Sequence, residues 1–475
     1  MSNRKTLFYG PVINPDSLSS YQALPRCLLA VNAAGDIDWI ENDVEPSRVP
    51  TVRDENKCQD ADFVELQEGE FIMPGFVDTH THAPQVPNIG SGQQYELLDW
   101  LNNVTFPMEA QFSDVDFARK AYGSVVRRIV DSGTTTCCYY GTLHLEATKV
   151  LADIVYEYGQ RAFVGKCNMD RMSPDNYIEP SVASSIAATE KLIEHIHGFP
   201  TELVQPVITP RFAISCTGPL LKGLGDLAHK HPTMLVQTHI SENTSEITTT
   251  RELFPECASY ADVYYQHGLL GPRTVLAHAV HLEESEVELI RKQRSGVSHC
   301  PTSNFNLRSG ICPVGKLLDQ GIKVGLGTDV SGGFSTSILT EVQHASVASK
   351  VLAFQAPATS ALTTDTFANR QLSVATCLHL ATLGGAQVCG LEKRVGSFAP
   401  GKAFDALLVA VHSDAGNPRL WGMDLDDSLG IKRAGTKVEA MLERFLFTGD
   451  DRNIRKVFVQ GRWIGGAKPR LQEEL

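Results

Sequence analysis

Residues 71–82 read FIMPGFVDTHTH. A mostly apolar run leads straight into two histidines, and side chains along a strand alternate faces with period two, so His80 and His82 point the same way. The spacing predicts a strand whose end delivers both imidazoles to one cavity. Reading forward, short apolar runs recur at TTTCCYYG (134–141), RAFVGKCNM (161–169), LVQPVITPRF (203–212), MLVQTHIS (234–241), TVLAHAV (274–280), SGVSHCP (295–301) and KVGLGTDV (323–330), eight in all with the first. Between them stand segments of helical period, among them DFARKAYGSVVRRIVDSG (116–133), LEATKVLADIVYEYGQ (145–160), ASSIAATEKLIEHIHG (183–198) and SEVELIRKQ (285–293). Several close on Gly, which helix C-termini favour. Repeated strand–helix alternation implies parallel strands joined by helical crossovers. Eight such strands over about 250 residues favour a closed (β/α)8 barrel of the TIM type over an open doubly wound sheet.

Outside that span the pattern changes. TLFYGPVI (6–13) and CLLAVNAAGDIDWIE (27–41) read as short strands with a Gly-Asp turn, and similar composition returns in VGSFAPGKAFDALLVAV (395–411) and RKVFVQGRWIGG (455–466). The fold expected is therefore α/β, with residues 74–389 forming the barrel and residues 1–73 together with 390–475 building one small β-sandwich beside it.

The 475 residues include 42 Lys+Arg against 55 Asp+Glu, a formal net charge of −13. That balance argues against nucleic acid or an anionic membrane as partner, since both attract basic patches. The 11 Cys include no CxxC pair and read as reduced thiols rather than a disulfide framework. The opening MSNRKTLFYGPVINPD has no apolar run of signal-peptide length, and no stretch approaches the roughly 18 apolar residues of a membrane span. A cytoplasmic protein is expected.

Four further strand ends carry ionisable groups: His239 with Glu242 in QTHISE, His278 in LAHAV, His299 in SHCP and Asp329 in GTDV. The carboxyl ends of barrel strands form one catalytic face, so these residues converge although far apart in sequence. Three neutral imidazoles and one carboxylate suit Zn²⁺, with Fe²⁺ also compatible. Bound zinc lowers the pKa of water from about 15.7 to about 7, which supplies a nucleophile at neutral pH. Glu242 and His278 are then free to move protons, which hydrolysis of a C–N bond needs because the nitrogen leaves poorly until protonated.

Other motifs carry less. His195 with His197 and His229 with His231 fall at helix ends, where residues two apart diverge, and are read as structural. GICPVGKL (310–317) misses the hydroxyl of a phosphate-binding loop at Leu317, and GLGDLA at Gly223 lies inside a helical pattern. His281 and Glu283 form an HxE without the CxxC that would complete a cytidine-deaminase-type zinc site.

PGFVDTHTH, QTHISE, LAHAV, VSHCPTSN and GLGTDVSGG together resemble the amidohydrolase superfamily. HAPQVPNIGSG, LLDWLNNVTFPMEAQF, ITPRFAISC and GDDRNIRKVFVQG look like its guanine deaminase family, so the similarity spans most of the chain. The resemblance implies hydrolytic deamination of guanine to xanthine and ammonia on a single zinc ion held by His80, His82, His239 and Asp329. It also implies that Asp329 takes the proton of the attacking water, that Glu242 carries a proton to the purine ring and then toward the leaving amine, and that His278 orients the water. Gln85, Arg211 and Phe212 are its implied purine-binding residues, and a homodimer its implied assembly. Arg211 suits the carbonyl oxygen that guanine has and adenine lacks. A deaminase or hydrolase of another purine, a pterin or a chlorinated triazine would share the metal set and differ in this pocket.

Two expectations concern neighbouring residues. In binuclear relatives a carboxylated lysine bridges two metals from the fourth strand, which offers none here, so Lys166 is read as structural and one metal is expected. The loop from Ala83 to about Pro107 contains Pro84, Pro87, Gly90, Gly92 and Trp100 and is expected to cover the barrel mouth as a lid.

Overall fold

The computed structural model describes residues 4–355, 366–368, 370–431 and 435–467. Strands β1 (Thr6–Pro15), β2 (Tyr21–Val31), β3 (Ile37–Glu41), β4 (Asp62–Glu65) and β5 (Glu70–Pro74) open the chain. The barrel strands follow: β6 (Phe76–His82), β7 (Thr134–Tyr140), β8 (Arg161–Gly165) with its short continuation β9 (Cys167–Asn168), β10 (Val204–Pro210), β11 (Leu235–Ile240), β12 (Thr274–His278), β13 (Gly296–His299) and β14 (Lys323–Leu326). The chain then returns to the first sheet with β15 (Ala406–Ala410), β16 (Ile454–Val459) and β17 (Arg462–Gly465).

From β6 to β14 each strand pairs in parallel with its neighbours, in sequence order apart from β9, which extends the third barrel position beside β10. Hydrogen bonds across the seam bring the ends of this eight-position barrel together: Asp329 N donates to the His80 carbonyl at 2.9 Å, and Thr79 Oγ1 to the Leu326 carbonyl at 2.8 Å. All eight runs read from the sequence become these strands, the third being interrupted at Lys166. Every residue of β6 and β7 is buried, as expected where a parallel strand has filled barrel on one side and helices on the other.

The helices begin and stop where local chemistry directs. Asp114 accepts hydrogen bonds from the backbone N–H of Asp116 and Phe117 to start the helix Val115–Asp131. Leu145–Tyr158 ends on Gly159 at φ 75°, a left-handed conformation that costs glycine little.

Both chain ends share one sheet, ordered β17-β16-β15-β5-β1-β2-β3 with β4 on β1. Phe8 of β1 lies 5.6 Å from Phe458 of β16, centroid to centroid. Three strand spacings separate β1 from β16, about 14 Å in a flat sheet at about 4.8 Å each, so the sheet folds over on itself. The two layers of the expected sandwich are thus one continuous ladder, packed around Phe8, Phe404 and Phe458. A buried pair locks this unit to the barrel: Arg161 of β8 donates to Asp405 through Nε at 2.8 Å and Nη2 at 3.2 Å.

Candidate active site

The polar strand ends meet at the carboxyl end of the barrel. His80 and His82 come from the end of β6, His239 from β11, His278 from the end of β12, and Asp329 from three residues beyond β14. One ligand atom each from His80, His82, His239 and Asp329 lies within 4.8 Å of the others, and all four side chains are buried.

Their hydrogen bonds fix which nitrogen carries the proton. Gln237 turns its Nε2 to Cys138 Sγ, so its Oε1 faces His80 Nδ1 at 2.7 Å and must accept from it. His239 Nδ1 likewise donates to the Arg211 carbonyl. The Nε2 lone pairs of both rings therefore point inward, that of His80 toward Asp329 Oδ1 at 3.1 Å and that of His239 toward His82 Nε2 at 3.1 Å. Inward-facing acceptors this close repel one another unless a cation lies among them, and three imidazoles with one carboxylate fit a divalent metal of the zinc type.

Electrostatics sort the remaining groups. Burial pushes His82 down to about 4, and burial followed by the neighbouring His80 and His82 pushes His239 well below its usual range, so both are neutral and able to ligate. Burial pushes Asp329 upward, but the neighbouring His278 outweighs it and holds the carboxyl well below its usual range. Glu242 goes the other way, raised to about 7 by burial first and by the Asp329 charge, against the pull of His278. For His278 burial is outweighed by Glu242 and Asp329, and its pKa is raised. His278 Nε2 lies 3.3 Å from Glu242 Oε2 and 3.7 Å from Asp329 Oδ2. His278 and Asp329 take φ of 76° and 41°, left-handed values unusual for residues with a Cβ; such backbone strain concentrates at functional sites.

A cavity opens onto this group, shared by Gln85, Arg211 and Phe212 with Glu242 and Asp329. Leu97, Trp100 and Leu101 of the segment after β6 form part of its wall. That segment, read as a loop, contains short helical turns at Ala83–Asn88 and Leu97–Trp100. Lys166 stays out of the cavity: its Nζ bonds Glu179 Oε1 at 2.5 Å and the Cys167 carbonyl at 2.9 Å, deep in the protein. His299 is buried outside the four-residue group, and His195 pairs with Asp153 at 2.7 Å.

Several residues that shape the site escaped the sequence reading. Glu109 is fully buried, and both its oxygens are occupied by Gln85, Arg211 and Tyr177. Burial raises its pKa, but Arg211 outweighs burial and the carboxyl sits below its usual range. Asn304 accepts from His278 Nδ1 at 2.9 Å, and Ser309 Oγ donates to Glu242 Oε1 at 3.0 Å. The one signal for Glu109 was a lone acid among Phe106, Met108 and Phe112 in an otherwise apolar segment.

Residues 71–464 match the model of the amidohydrolase family. Over 462 residues the chain is 44% identical to a Schizosaccharomyces pombe protein described as a probable guanine deaminase, covering 97% of this chain and 83% of that one. The guanine deaminase of Dictyostelium discoideum is 39% identical over 463 residues, with 96% of this chain and 98% of that one covered. Among solved structures, guanine deaminase from C. acetobutylicum with bound guanine in the active site superimposes with a TM-score of 0.84 at 33% identity, covering 97% of this chain and 99% of that one. Among the described residues no helix is long and apolar enough to cross a membrane.

Proposed function

The chain belongs to the amidohydrolase family, and we propose that its barrel-mouth site converts guanine and water to xanthine and ammonia, as the names of its relatives indicate. The single observation that carries this reading is the convergence of a His-His-His-Asp group with Glu242 and His278 on the cavity that holds Gln85 and Arg211. In it, His80, His82, His239 and Asp329 would hold one zinc ion. When bound, zinc supplies Lewis acidity and a lowered pKa for water.

The chain's own groups do the rest. Gln85 and Arg211 orient the oxopurine edge and Phe212 packs on its face. Asp329, kept ionised by His278, accepts the proton of the attacking water. His278 Nε2 orients that water. Glu242, with a pKa near 7, delivers its proton to the ring nitrogen beside the reacting carbon, takes up the hydroxyl proton as the carbonyl forms and passes it to the departing amine, and the proton held by Asp329 returns to Glu242 to reset both groups.

The same reading takes residues 74–389 as the barrel unit and residues 1–73 with 390–475 as the β unit, supported by the strand order. It places the protein in the cytoplasm as a homodimer, for which exposed Val347 and Phe354, seven residues apart on the helix Ile338–Gln355, supply apolar surface. Loss of guanine absorbance with matching ammonia release from metal-replete protein tests the function, with adenine, cytosine and guanosine alongside. Turnover of guanine alone is expected. A zinc-loaded protein inert on guanine would discard the substrate.

A further inference from the structure

Glu109 sits on the short helix Phe106–Ala110 and does not line the cavity. It reaches the cavity through the two residues that would read the base. Its Oε1 accepts from Gln85 Nε2 at 2.7 Å and Arg211 Nη2 at 3.1 Å, and its Oε2 from Arg211 Nη1 at 2.7 Å and Tyr177 OH at 2.6 Å. Gln85 Oε1 in turn accepts from Ser331 N at 3.0 Å, so the amide of Gln85 is fixed at both ends. The guanidinium of Arg211 is held in a two-pronged fork and lies 5.1 Å from the centre of the Phe106 ring.

We propose that Glu109 is the positioning residue that sets base selectivity: it fixes the donors of Gln85 and Arg211 and cancels the Arg211 charge, so the pocket takes a neutral oxopurine and rejects an anionic one. The inference rests on the guanine reading of this pocket. Guanidinium has five N–H groups and never loses its charge in a protein. Glu109 takes one from each terminal nitrogen and Cys167 Sγ accepts a third from Nη1 at 3.8 Å, which leaves the rest for a carbonyl oxygen. Without the carboxylate the same guanidinium would face the cavity as an unpaired buried cation, and an anion would be its natural partner. Neutral guanine gains no such charge attraction. An oxopurine that has lost a proton does.

The test measures binding and turnover separately. For Glu109→Gln, KM for guanine is expected to rise about tenfold or more with a smaller change in kcat, while urate, an anion at neutral pH, binds at least tenfold tighter by calorimetry. Tyr177→Phe removes one hydrogen bond to Glu109 and leaves the ion pair, so it should raise KM a few-fold without tightening urate. In the wild-type protein, xanthine should bind more weakly as pH rises through its own ionisation when its affinity is taken relative to hypoxanthine, which stays neutral over that range and so cancels the titration of Glu242 in the same cavity, a measurement that needs no variant to fold. Folded Glu109→Gln protein with unchanged KM and unchanged urate affinity overturns the proposal, as does wild-type binding of xanthine that is indifferent to its ionisation. Wild-type protein that binds oxopurines yet does not release ammonia from guanine would sink the reaction and leave the role of Glu109 standing.

Discussion

His278 Nε2 faces Glu242 Oε2 across 3.3 Å, with both side chains enclosed by protein. Each is held from its far side, His278 by Asn304 and Glu242 by Ser309. The pairing matters because the two carboxylates at the cavity are tuned apart: Asp329 stays ionised, whereas burial lifts Glu242 to about 7, where a proton is both held and released near neutrality. Glutamine keeps the size of Glu242 and its bond to Ser309 but carries no transferable proton. Glu242→Gln is expected to retain its metal and to lose about 10² to 10⁴ in kcat. Metal content by plasma emission, read beside initial rates, checks both halves. Full metal with near-normal turnover would remove Glu242 from proton transfer.

Asn304 governs the other half of the contact. Its Oδ1 accepts from His278 Nδ1 at 2.9 Å, which keeps one ring proton there and leaves Nε2 for the reacting groups. Asn304→Ala frees the ring to exchange tautomers and rotate. A loss of about 10- to 100-fold in kcat is expected, the range found when outer partners of site histidines are removed. KM should change little, because Asn304 is not among the residues lining the cavity. A variant that changed KM alone would place Asn304 in binding rather than in orienting His278.

The barrel and the convergence of its polar strand ends were legible for a physical reason. Period-two alternation aims His80 and His82 together, and barrel topology gathers His239, His278 and Asp329 at the same end, so short local patterns carried long-range geometry. Glu109 was not legible, because its partners Gln85, Tyr177 and Arg211 lie 24, 68 and 102 residues away and no periodicity links them. Gln237 shows the intermediate case: it lies on β11 two residues before His239, yet its bond runs across the barrel to His80. The terminal unit was legible as strands, but the folding of its single sheet onto itself depends on Phe8 meeting Phe404 and Phe458, residues from opposite ends of the chain.

The wall built by Leu97, Trp100 and Leu101 makes the segment after β6 part of the cavity, and a ligand filling that cavity adds contacts to it. Residues 83–107 should exchange their amide hydrogens more slowly once an oxopurine saturates the site. Hydrogen exchange by mass spectrometry, with helix Val115–Asp131 as an internal reference, checks this. Unchanged protection in 83–107 at saturation would mean that the segment is a fixed wall and not a lid.

The Glu109–Arg211 pair also sets a pH dependence whose sign follows from the shift. In the unfolded chain the carboxyl titrates near about 4.3, and in the folded protein its value is lower because Arg211 outweighs the opposing effect of burial. A depressed folded pKa contributes stability that is fully present above about pH 4.3 and is lost as pH falls through the lower folded value. Glu109→Gln lacks that contribution at every pH and leaves Arg211 buried without its partner, a loss of about 3–5 kcal/mol at neutral pH. Thermal midpoints of the two proteins should therefore differ by a constant amount from pH 7 down to about 5 and converge below about 4.3, where wild-type Glu109 itself takes up a proton. A gap that persists undiminished as far down as both proteins remain folded would mean that the carboxylate stabilises the fold through packing and neutral hydrogen bonds, and that its charge is not what holds Arg211 in place.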